Sequence, residues 1–429
     1  MTLNKLEKSQ LTFCLSKAKN FIIITTGRAG TDFLQSCYDQ HPEIASTCEK
    51  SVSLIQFIRE NKVLLPESSE VFSALAIKEL LFSFSPYINL IEDWRISKKD
   101  LYINSDVRRF IDALSYLLKD KRNLKDEISI IRLIILSFSF SIKKDITKIS
   151  SILIHLHSIE LLKEIDAQIS ANDLVLICSR NPYDLLASGV FHWRKYWSKQ
   201  NLYERINDIS LYRKGLKRTL CDYEDLKKFL IISKPKIYLT ILEKLSKKDY
   251  LNLINKNLQI KKFSTYPNST VLGMKRRGDL LSNDKRKKAL GKYDSKLVNR
   301  GSPFQRIGIL DTIIITLISN ERIKKYNLKR PSKILKKIIN LSIIFRFLLL
   351  IILIPFPTKI EIIYFRDFLK NILKILFLKI NFKQKSKKLV FGLFYVFLYP
   401  IEYIRIRYLK LSIFISSFNS SRFIDELKY

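Results

Sequence analysis

The sequence has 429 residues, of which 47% are hydrophobic, so it is long enough for two or three domain-sized parts with buried cores. Its 76 basic and 40 acidic residues give a net charge of +36, which predicts an anionic partner: a lipid surface, a nucleic acid or an acidic small molecule. The five cysteines form no CxxC pair and no cluster with histidine, which argues against a zinc site or a disulfide scaffold and favours a reducing cytoplasm.

The first twenty residues carry scattered charges and no apolar stretch, so we expect neither a signal peptide nor an N-terminal anchor. An apolar run at 21–26 predicts a buried parallel strand, and 31–40 the helix that follows it. Apolar residues at three- and four-residue spacing predict helices through 51–150. Further strands are predicted at 150–158 and 174–180, and the Asn-Pro pair after 174–180 predicts a helix start. The segment 235–245 predicts a strand followed by a helix. This alternation predicts a parallel α/β sheet with ligands at the carboxyl ends of its strands.

Beyond about residue 330 the sequence becomes nearly continuously apolar, with basic residues interspersed. Two weakly similar units surround Pro357–Glu361 and Pro400–Glu402. The uninterrupted apolar stretch Phe347–Phe356 is shorter than the roughly 20 residues that a spanning helix needs. Re-entrant or in-plane helices on an anionic membrane surface fit this pattern best, and a packed helical hairpin or a true span are the alternatives.

The segment after the first strand, TTGRAGT, predicts a phosphate-binding loop. A strand that turns through small residues into a helix presents backbone N–H groups and the positive end of the helix dipole to an anion. The loop of nucleoside triphosphatases has a lysine after its last glycine, whereas here Thr31 and Asp32 follow Gly30. The nearest cation is Arg28, two residues before that glycine, so the loop is predicted to bind phosphate in another manner than an ATPase does.

A second candidate phosphate contact follows the strand at 174–180. Arg180 stands at its carboxyl end, and Ser188 lies two turns into the next helix. An arginine and a serine in these places can hold one phosphate from two sides, the arginine through paired hydrogen bonds. The alternative is an arginine that caps the helix or forms a structural salt bridge.

With these two motifs together, the sequence resembles the sulfotransferases that use 3′-phosphoadenosine 5′-phosphosulfate (PAPS). TTGRAGTDFL resembles their 5′-phosphosulfate loop, and CSRNPYDLLAS their 3′-phosphate motif. HLHSIELL resembles the segment that carries the catalytic base, and STVLGMKRRGD the late segment that closes over the nucleotide. The resemblance covers 20–45, 150–195 and 235–325, but not the helical segment between the first two.

The resemblance implies a P-loop α/β fold, a three-layer parallel sheet flanked by helices, here with a helical insert and a C-terminal apolar and basic helical tail. It implies His157 as the catalytic base and Arg28 as a stabiliser of the leaving phosphate, without a metal; His155 or an acidic residue of the insert are the alternative bases. The implied donor-binding residues are Thr26, Gly27, Arg28, Ala29, Gly30, Thr31, Asp32, Phe33, Arg180, Ser188, Lys275, Arg276, Arg277 and Gly278.

Three residues depart from the family pattern. Ala29 replaces a serine, and Asp32 replaces a threonine, so we predict that the Asp32 carboxylate points away from the donor. Leu242 stands where the family has a tyrosine that contacts adenine. The segment CDYEDLKKF looks more like the family's tyrosine motif, but no strand is predicted before it.

The predicted organisation is a phosphate-loop segment at 1–50, an acceptor-binding insert at 51–149, the rest of the sulfotransferase domain at 150–330 and the tail at 331–429. The predicted function is transfer of a sulfuryl group from PAPS to a hydroxyl of a glycan or a lipid-linked acceptor, by a cytoplasmic enzyme peripheral to the inner membrane face. A catalytically impaired nucleotide-binding scaffold and a kinase-like enzyme are the alternatives. A nucleic-acid partner is not expected, because the basic residues concentrate around apolar segments.

Overall fold

The structure is a computed structural model. It describes residues 3–25, 29–47, 51–84, 106–156, 161, 164–197, 216, 235–271, 274–275, 293, 303–320, 323, 333–377, 400–412 and 414–415. The chain divides into two compact units. The first unit comprises Met1–Ser179 and Phe229–Ser295, and the second comprises Arg180–Lys228 and Lys296–Tyr429. The domain boundaries proposed from the sequence stay predictions.

The first unit is built on a sheet of five parallel strands, which confirms the predicted α/β class. The strands are β1 (Lys19–Thr25), β2 (Ile44–Ala45), β3 (Ser151–Leu156), β4 (Leu174–Ser179) and β5 (Lys236–Ile241), in the order β2-β3-β1-β4-β5. β3 and β4 are buried at every residue, and β1 at every residue after Lys19. Such continuous burial is typical of parallel strands covered on both faces. A separate antiparallel hairpin joins β6 (Thr270–Val271) to β7 (Met274–Lys275).

The helices are numbered along the chain. They are α1 (Lys5–Lys17), α2 (Thr31–Tyr38), α3 (Ser51–Asn61), α4 (Ser69–Phe84), α5 (Val107–Leu118), α6 (Glu127–Ser141), α7 (Pro182–Trp197), α8 (Lys248–Leu258), α9 (Pro303–Ile307), α10 (Ile309–Ile318), α11 (Lys333–Asn340), α12 (Ile343–Leu353) and α13 (Lys359–Phe377). Residues 400–412 form a further helix, termed the C-terminal helix below. α3 to α6 confirm the predicted helices in the described part of 51–150.

Local chemistry explains where the helices of the first unit begin. Asp106 caps α5 and Asp126 caps α6, each by accepting a hydrogen bond from a backbone N–H of the first turn. α6 is apolar almost all round because it is covered on several sides, by α3 and α5 and by strands β2 and β3. The helices between the first and third strands therefore contribute directly to the core on the sheet.

The strand order places a crevice at the carboxyl edge of the sheet. From β1 the chain proceeds to β2 at one edge, whereas from β4 it proceeds to β5 at the opposite edge. β1 and β4 are neighbours, paired from Phe21 opposite Leu174 to Thr25 opposite Cys178. Where the outgoing connections of neighbouring parallel strands diverge, a crevice opens beyond their carboxyl ends, and ligands of α/β proteins bind there.

The second unit has its own apolar core, centred on α10. Tyr183 of α7, Leu350 of α12 and Ile360 of α13 belong to this core, as does Ile406 of the C-terminal helix. The hydroxyl of Tyr183 lies 2.8 Å from Thr316 Oγ1 of α10, so the polar end of the buried ring is satisfied.

A cluster of charges is buried between the tail helices. Glu361 of α13 accepts hydrogen bonds from Lys410 Nζ at 2.7 Å and from both terminal nitrogens of Arg407 at 2.7 and 2.8 Å. The Glu361 and Lys410 side chains are each 1% exposed. Nearby, Asp311 accepts from the Ile360 N–H, and burial raises the pKa of its carboxyl to about 6, although Lys410 opposes the shift. This cluster joins the C-terminal helix to α13.

In the part of the chain that the structure describes, the helices are too short or too polar to cross a membrane. α12 has 11 residues, which at 1.5 Å per residue makes it about 16 Å long, against roughly 30 Å of hydrocarbon. Arg346, which interrupts the apolar pattern of α12, is 8% exposed. Its side chain therefore lies on the inward face of the helix.

Candidate active site

Three candidate segments begin at the carboxyl edge of the sheet. Thr25 ends β1 and is followed by the predicted phosphate loop. Leu156 ends β3, is paired with Ile24 of β1, and immediately precedes His157. Ser179 ends β4 and immediately precedes Arg180. Because β3, β1 and β4 are consecutive in the sheet, chain connectivity starts all three segments at neighbouring strand ends.

Several predicted site residues lie outside the described part of the chain. They are Thr26, Gly27, Arg28, His157, Arg276, Arg277 and Gly278. For Lys275 the structure describes the backbone, as the last residue of β7. The roles assigned to these residues stay predictions.

Gly30 closes the described part of the phosphate loop and caps α2. Its φ of 83° lies in the left-handed region, which disfavours residues with a Cβ. A Cβ at this position would also clash with Leu242 Cδ1. The Gly30 carbonyl accepts the first hydrogen bond of α2, from Leu34 N at 3.0 Å. The loop therefore needs glycine here, where the backbone packs closely against the Leu242 side chain and turns into the N-terminus of α2.

Leu242 packs beneath this loop instead of facing solvent. It is 5% exposed and opens the 3-10 turn Leu242–Ser246 directly after β5. Its backbone oxygen accepts a hydrogen bond from the hydroxyl of Tyr293 at 3.3 Å. The Tyr293 ring in turn makes an edge contact with Phe33 of α2, with the ring centroids 5.5 Å apart. Tyr293 is thus an aromatic neighbour of the loop that sequence analysis did not select.

The first turn of α2 faces a histidine on β3. Asp32 Oδ1 lies 3.9 Å from His155 Nε2, and Gln35 Oε1 lies 2.7 Å from His155 Nδ1. The His155 backbone N–H donates to Ser51 Oγ, and the Gln35 amide donates to the Thr47 carbonyl. Asp32 and His155 were candidate residues in the sequence analysis, whereas Gln35 was not. Asp32 and Gln35 are three residues apart and so share one face of α2, which is the signal that could have identified Gln35.

His155 is fully buried, with 0% exposure, and its ring is held between Gln35 and Asp32. A ring in this position offers no solvent-facing nitrogen to an acceptor hydroxyl, so its geometry fits a positioning role better than that of the base. The Asp32 carboxylate is directed at this ring, with 24% of its side chain exposed. Its orientation relative to a bound donor stays a prediction.

Ala29 is fully buried, so the hydroxyl that it lacks would have been enclosed by protein.

The far end of α2 holds the hairpin that precedes the basic segment. Thr270 Oγ1 donates to Asp39 Oδ2 at 2.8 Å, and the Ser36 and Ser269 hydroxyls are hydrogen-bonded to each other. These contacts tie β6 to the helix whose N-terminus carries the phosphate loop. The backbone of Lys275, on the paired strand β7, is thereby anchored to the same part of the first unit.

Arg180 and Ser188 belong to the second unit. Both are buried, with exposures of 5% and 7%. Between them α7 starts as the sequence predicted, because Asn181 Oδ1 accepts from Tyr183 N at 3.1 Å and Pro182 occupies the first helical position. Asp184 in the first turn forms an ion pair with Arg306. The predicted turn and helix are confirmed, whereas the shared phosphate of Arg180 and Ser188 stays a prediction.

The sequence matches no protein-family model and no curated protein. Among solved structures, the sulfotransferase domain from the curacin biosynthetic pathway is similar, with a TM-score of 0.37 and 14% identity. The match covers 66% of this chain and 89% of that domain. A similarity this weak carries no argument, so the functional proposal rests on the residues themselves.

We expect Gly30→Ala to weaken binding of adenosine 3′,5′-bisphosphate, the nucleotide that remains after sulfuryl transfer, by about tenfold or more. An alanine in the left-handed region costs roughly 1–2 kcal/mol, and its Cβ clashes with Leu242. Calorimetric titration measures the effect. Adding Leu242→Ala should restore part of the affinity by removing the clash, and Leu242→Ala alone is the control. Unchanged affinity in Gly30→Ala would show that this loop does not hold the nucleotide.

Proposed function

We propose that the protein is a sulfotransferase that takes its sulfuryl group from PAPS and passes it to a hydroxyl group. The observation that carries the proposal is the loop at Gly30 beside the diverging strands β1 and β4. It offers the N-terminus of α2, whose backbone N–H groups and helix dipole suit a phosphate. The lysine typical of ATP-binding loops is missing after Gly30. When bound, PAPS supplies an activated sulfuryl group.

In this proposal the loop holds the 5′-phosphosulfate. Backbone N–H groups at the N-terminus of α2 and the guanidinium of Arg28 bind its oxygens and stabilise the negative charge that develops on the leaving phosphate. Arg180 and Ser188 are assigned to the 3′-phosphate from their sequence motif. The basic residues Lys275, Arg276 and Arg277 are assigned to the same end of the nucleotide on the same grounds. The hydrogen bond between Thr270 of β6 and Asp39 supports this assignment, because it fixes the start of the segment that carries them.

His157 is proposed as the base that takes the proton from the acceptor hydroxyl. An unperturbed imidazole has a pKa of about 6.5, which suits proton transfer near neutral pH. His157 directly follows Leu156, whose partner in the sheet is Ile24, one residue before the end of β1. This register supports a position for the base beside the phosphate loop. His155, which is hydrogen-bonded to Gln35 of α2, would fix the end of β3 and so position His157.

The acceptor is proposed to be a hydroxyl of a glycan or a lipid-linked molecule, bound with the help of the helices that follow the phosphate loop. α3 contacts β3, and α3 and α6 contact each other, so this helical layer adjoins the strand that leads to His157. We place the enzyme in the cytoplasm, at the inner face of a membrane.

Calorimetric titration with adenosine 3′,5′-bisphosphate tests the proposal, with AMP and magnesium-ATP as comparison ligands. We expect tight binding of the bisphosphate alone and a loss of roughly 10- to 100-fold in Arg180→Ala, the effect of hydrogen bonds from a charged group. Arg122→Ala is the matched control, because Arg122 is exposed and pairs with Asp120 on the surface. Equal affinity for AMP would refute the 3′-phosphate site, and a preference for magnesium-ATP would indicate a kinase-like protein. Bisphosphate binding with no turnover of any acceptor would indicate a scaffold.

A further inference from the structure

Three helices of the second unit carry large apolar side chains on their outward faces. On α12 these include Phe345, Leu348 and Ile352, which are 64%, 50% and 61% exposed. An isolated exposed apolar residue is ordinary, but a series along one helix face indicates a surface that another phase or molecule covers.

The same spacing recurs on the next two helices. On α13, Ile362, Phe365 and Leu369 are 53%, 42% and 42% exposed. On the C-terminal helix, Ile401, Ile404 and Tyr408 are 46%, 65% and 74% exposed. In each triplet the residues are three and then four positions apart, which places them on one helix face. These three triplets are termed the outer stripes.

In the described part of the second unit, the buried core is built from residues outside the outer stripes. The opposite faces of the three helices supply its core, where Leu350, Ile360 and Ile406 are at most 1% exposed. The helices also have their own connections, since Tyr403 donates to the Pro355 carbonyl at 2.9 Å and Arg407 to the Phe356 carbonyl at 3.2 Å. Both carbonyls belong to the turn between α12 and α13. The outer stripes are therefore an additional apolar surface on helices that are already packed.

The charge around the outer stripes identifies what would cover them. Residues 331–429 contain eighteen basic and five acidic residues. One of the acidic residues, Glu361, is buried in its own ion cluster. Exposed basic side chains of the second unit include Arg366 and Lys370 on α13, beside the stripe residues Phe365 and Leu369 in sequence, and Lys336 and Lys337 on α11. A second copy of the chain would bring the same positive charge against itself, whereas an anionic lipid surface complements both the charge and the apolar stripes.

We propose that the outer stripes bind the interfacial region of an anionic membrane. In this arrangement α12, α13 and the C-terminal helix lie along the surface, with Leu, Ile and aromatic side chains below the headgroups and lysine and arginine at the level of the phosphates. The proposal concerns the second unit and stands independently of the reaction that the protein catalyses.

Flotation of the full chain with vesicles tests this proposal. We expect binding to vesicles of phosphatidylcholine with 30% phosphatidylglycerol and at least tenfold weaker binding to phosphatidylcholine alone. The triple variant Leu348→Glu, Leu369→Glu, Ile404→Glu removes one residue from each stripe and should lower the partition coefficient on anionic vesicles by at least tenfold. Its thermal unfolding should match that of the wild type, because the three side chains are outside the core.

The matched control places three glutamates on exposed apolar residues of the first unit: Leu6→Glu, Phe13→Glu, Val63→Glu, at positions 65%, 59% and 87% exposed. This variant has the same net charge as the stripe variant and should keep its vesicle binding. Equal partition of the two variants would overturn the assignment of the stripes, and equal binding to neutral vesicles would overturn the role of charge. Light scattering measures the oligomeric state of both proteins. A dimeric wild type and a monomeric stripe variant, neither of which binds vesicles, would mean that a second copy of the chain covers the stripes and would overturn the proposal.

Discussion

His157→Ala is expected to lower kcat for sulfuryl transfer by about 10²- to 10⁴-fold, the usual contribution of a general base, and to leave the affinity for adenosine 3′,5′-bisphosphate unchanged. The physical reason is the separation of roles between the loop and the strand end. In the proposed mechanism, backbone groups at Gly30 and nearby cations hold the nucleotide, whereas the imidazole acts on the acceptor proton. Turnover assays and calorimetric titration of the same preparation measure the two effects separately.

His155→Gln is the informative comparison for this variant. His155 is buried and hydrogen-bonded to Gln35, so its replacement should lower stability and disturb the strand end while leaving the base in place. The pH–rate profile separates the two cases, because loss of the base removes the acid limb and loss of a positioning group does not. A His157→Ala enzyme with normal turnover would place the base elsewhere, and one with weakened bisphosphate binding would make His157 part of the nucleotide site.

Glu361→Ala is expected to destabilise the second unit by about 3–5 kcal/mol, the cost of leaving a buried charge without its partner. Lys410 is 1% exposed and donates to Glu361 at 2.7 Å, and Arg407 binds the same carboxylate with two nitrogens. Hydrogen exchange of the α13 amides, together with thermal unfolding, measures the free energy of opening at pH 7.5. That pH is above the pKa of about 6 that burial gives the Asp311 carboxyl in the wild type, so this neighbouring group is mostly ionised there.

Glu402→Ala is the matched control for this prediction. The Glu402 side chain is 12% exposed, but its partner Arg405 is 58% exposed, so its removal should cost less than that of Glu361. The double variant Glu361→Ala, Lys410→Met removes both charges and should recover part of the lost stability, because no buried ammonium is left without a counter-ion. If Glu361→Ala were no more destabilising than Glu402→Ala, the buried cluster would not hold the C-terminal helix to α13.

The class of the fold and the start of α7 could be predicted from local sequence patterns. Apolar runs at 21–26 and 174–180 became β1 and β4, since a buried parallel strand is apolar on both faces whatever its neighbours are. The Asn181-Pro182 pair began α7 because a side-chain cap and a fixed proline φ act within one turn. The glycine requirement at residue 30 could be foreseen in the same way, as part of a strand-to-helix turn.

Contacts between distant residues could not be read from these patterns. The pairing of His155 with Gln35 joins residues 120 positions apart, and the approach of Leu242 to Gly30 joins β5 to the loop after β1. In the sequence analysis Leu242 was the residue at the position of the family's adenine-contacting tyrosine. The structure shows that its side chain packs against Gly30 of the loop. Which strands are neighbours decides such contacts, and strand order depends on packing of the whole sheet.

Glu361 and Glu402 of the tail show this division most clearly. By sequence, Glu361 and Glu402 occupy similar places, each shortly after a proline at the start of a helix. The sequence alone determined that both segments are helical and that their surroundings are apolar and basic. The tertiary structure decided that Glu361, 1% exposed, is enclosed with Lys410 and Arg407, while Glu402, 12% exposed, pairs with Arg405, whose side chain is 58% exposed. Helix formation depends on residues within a few positions, but burial depends on which helices pack together, and that is fixed by the core around α10.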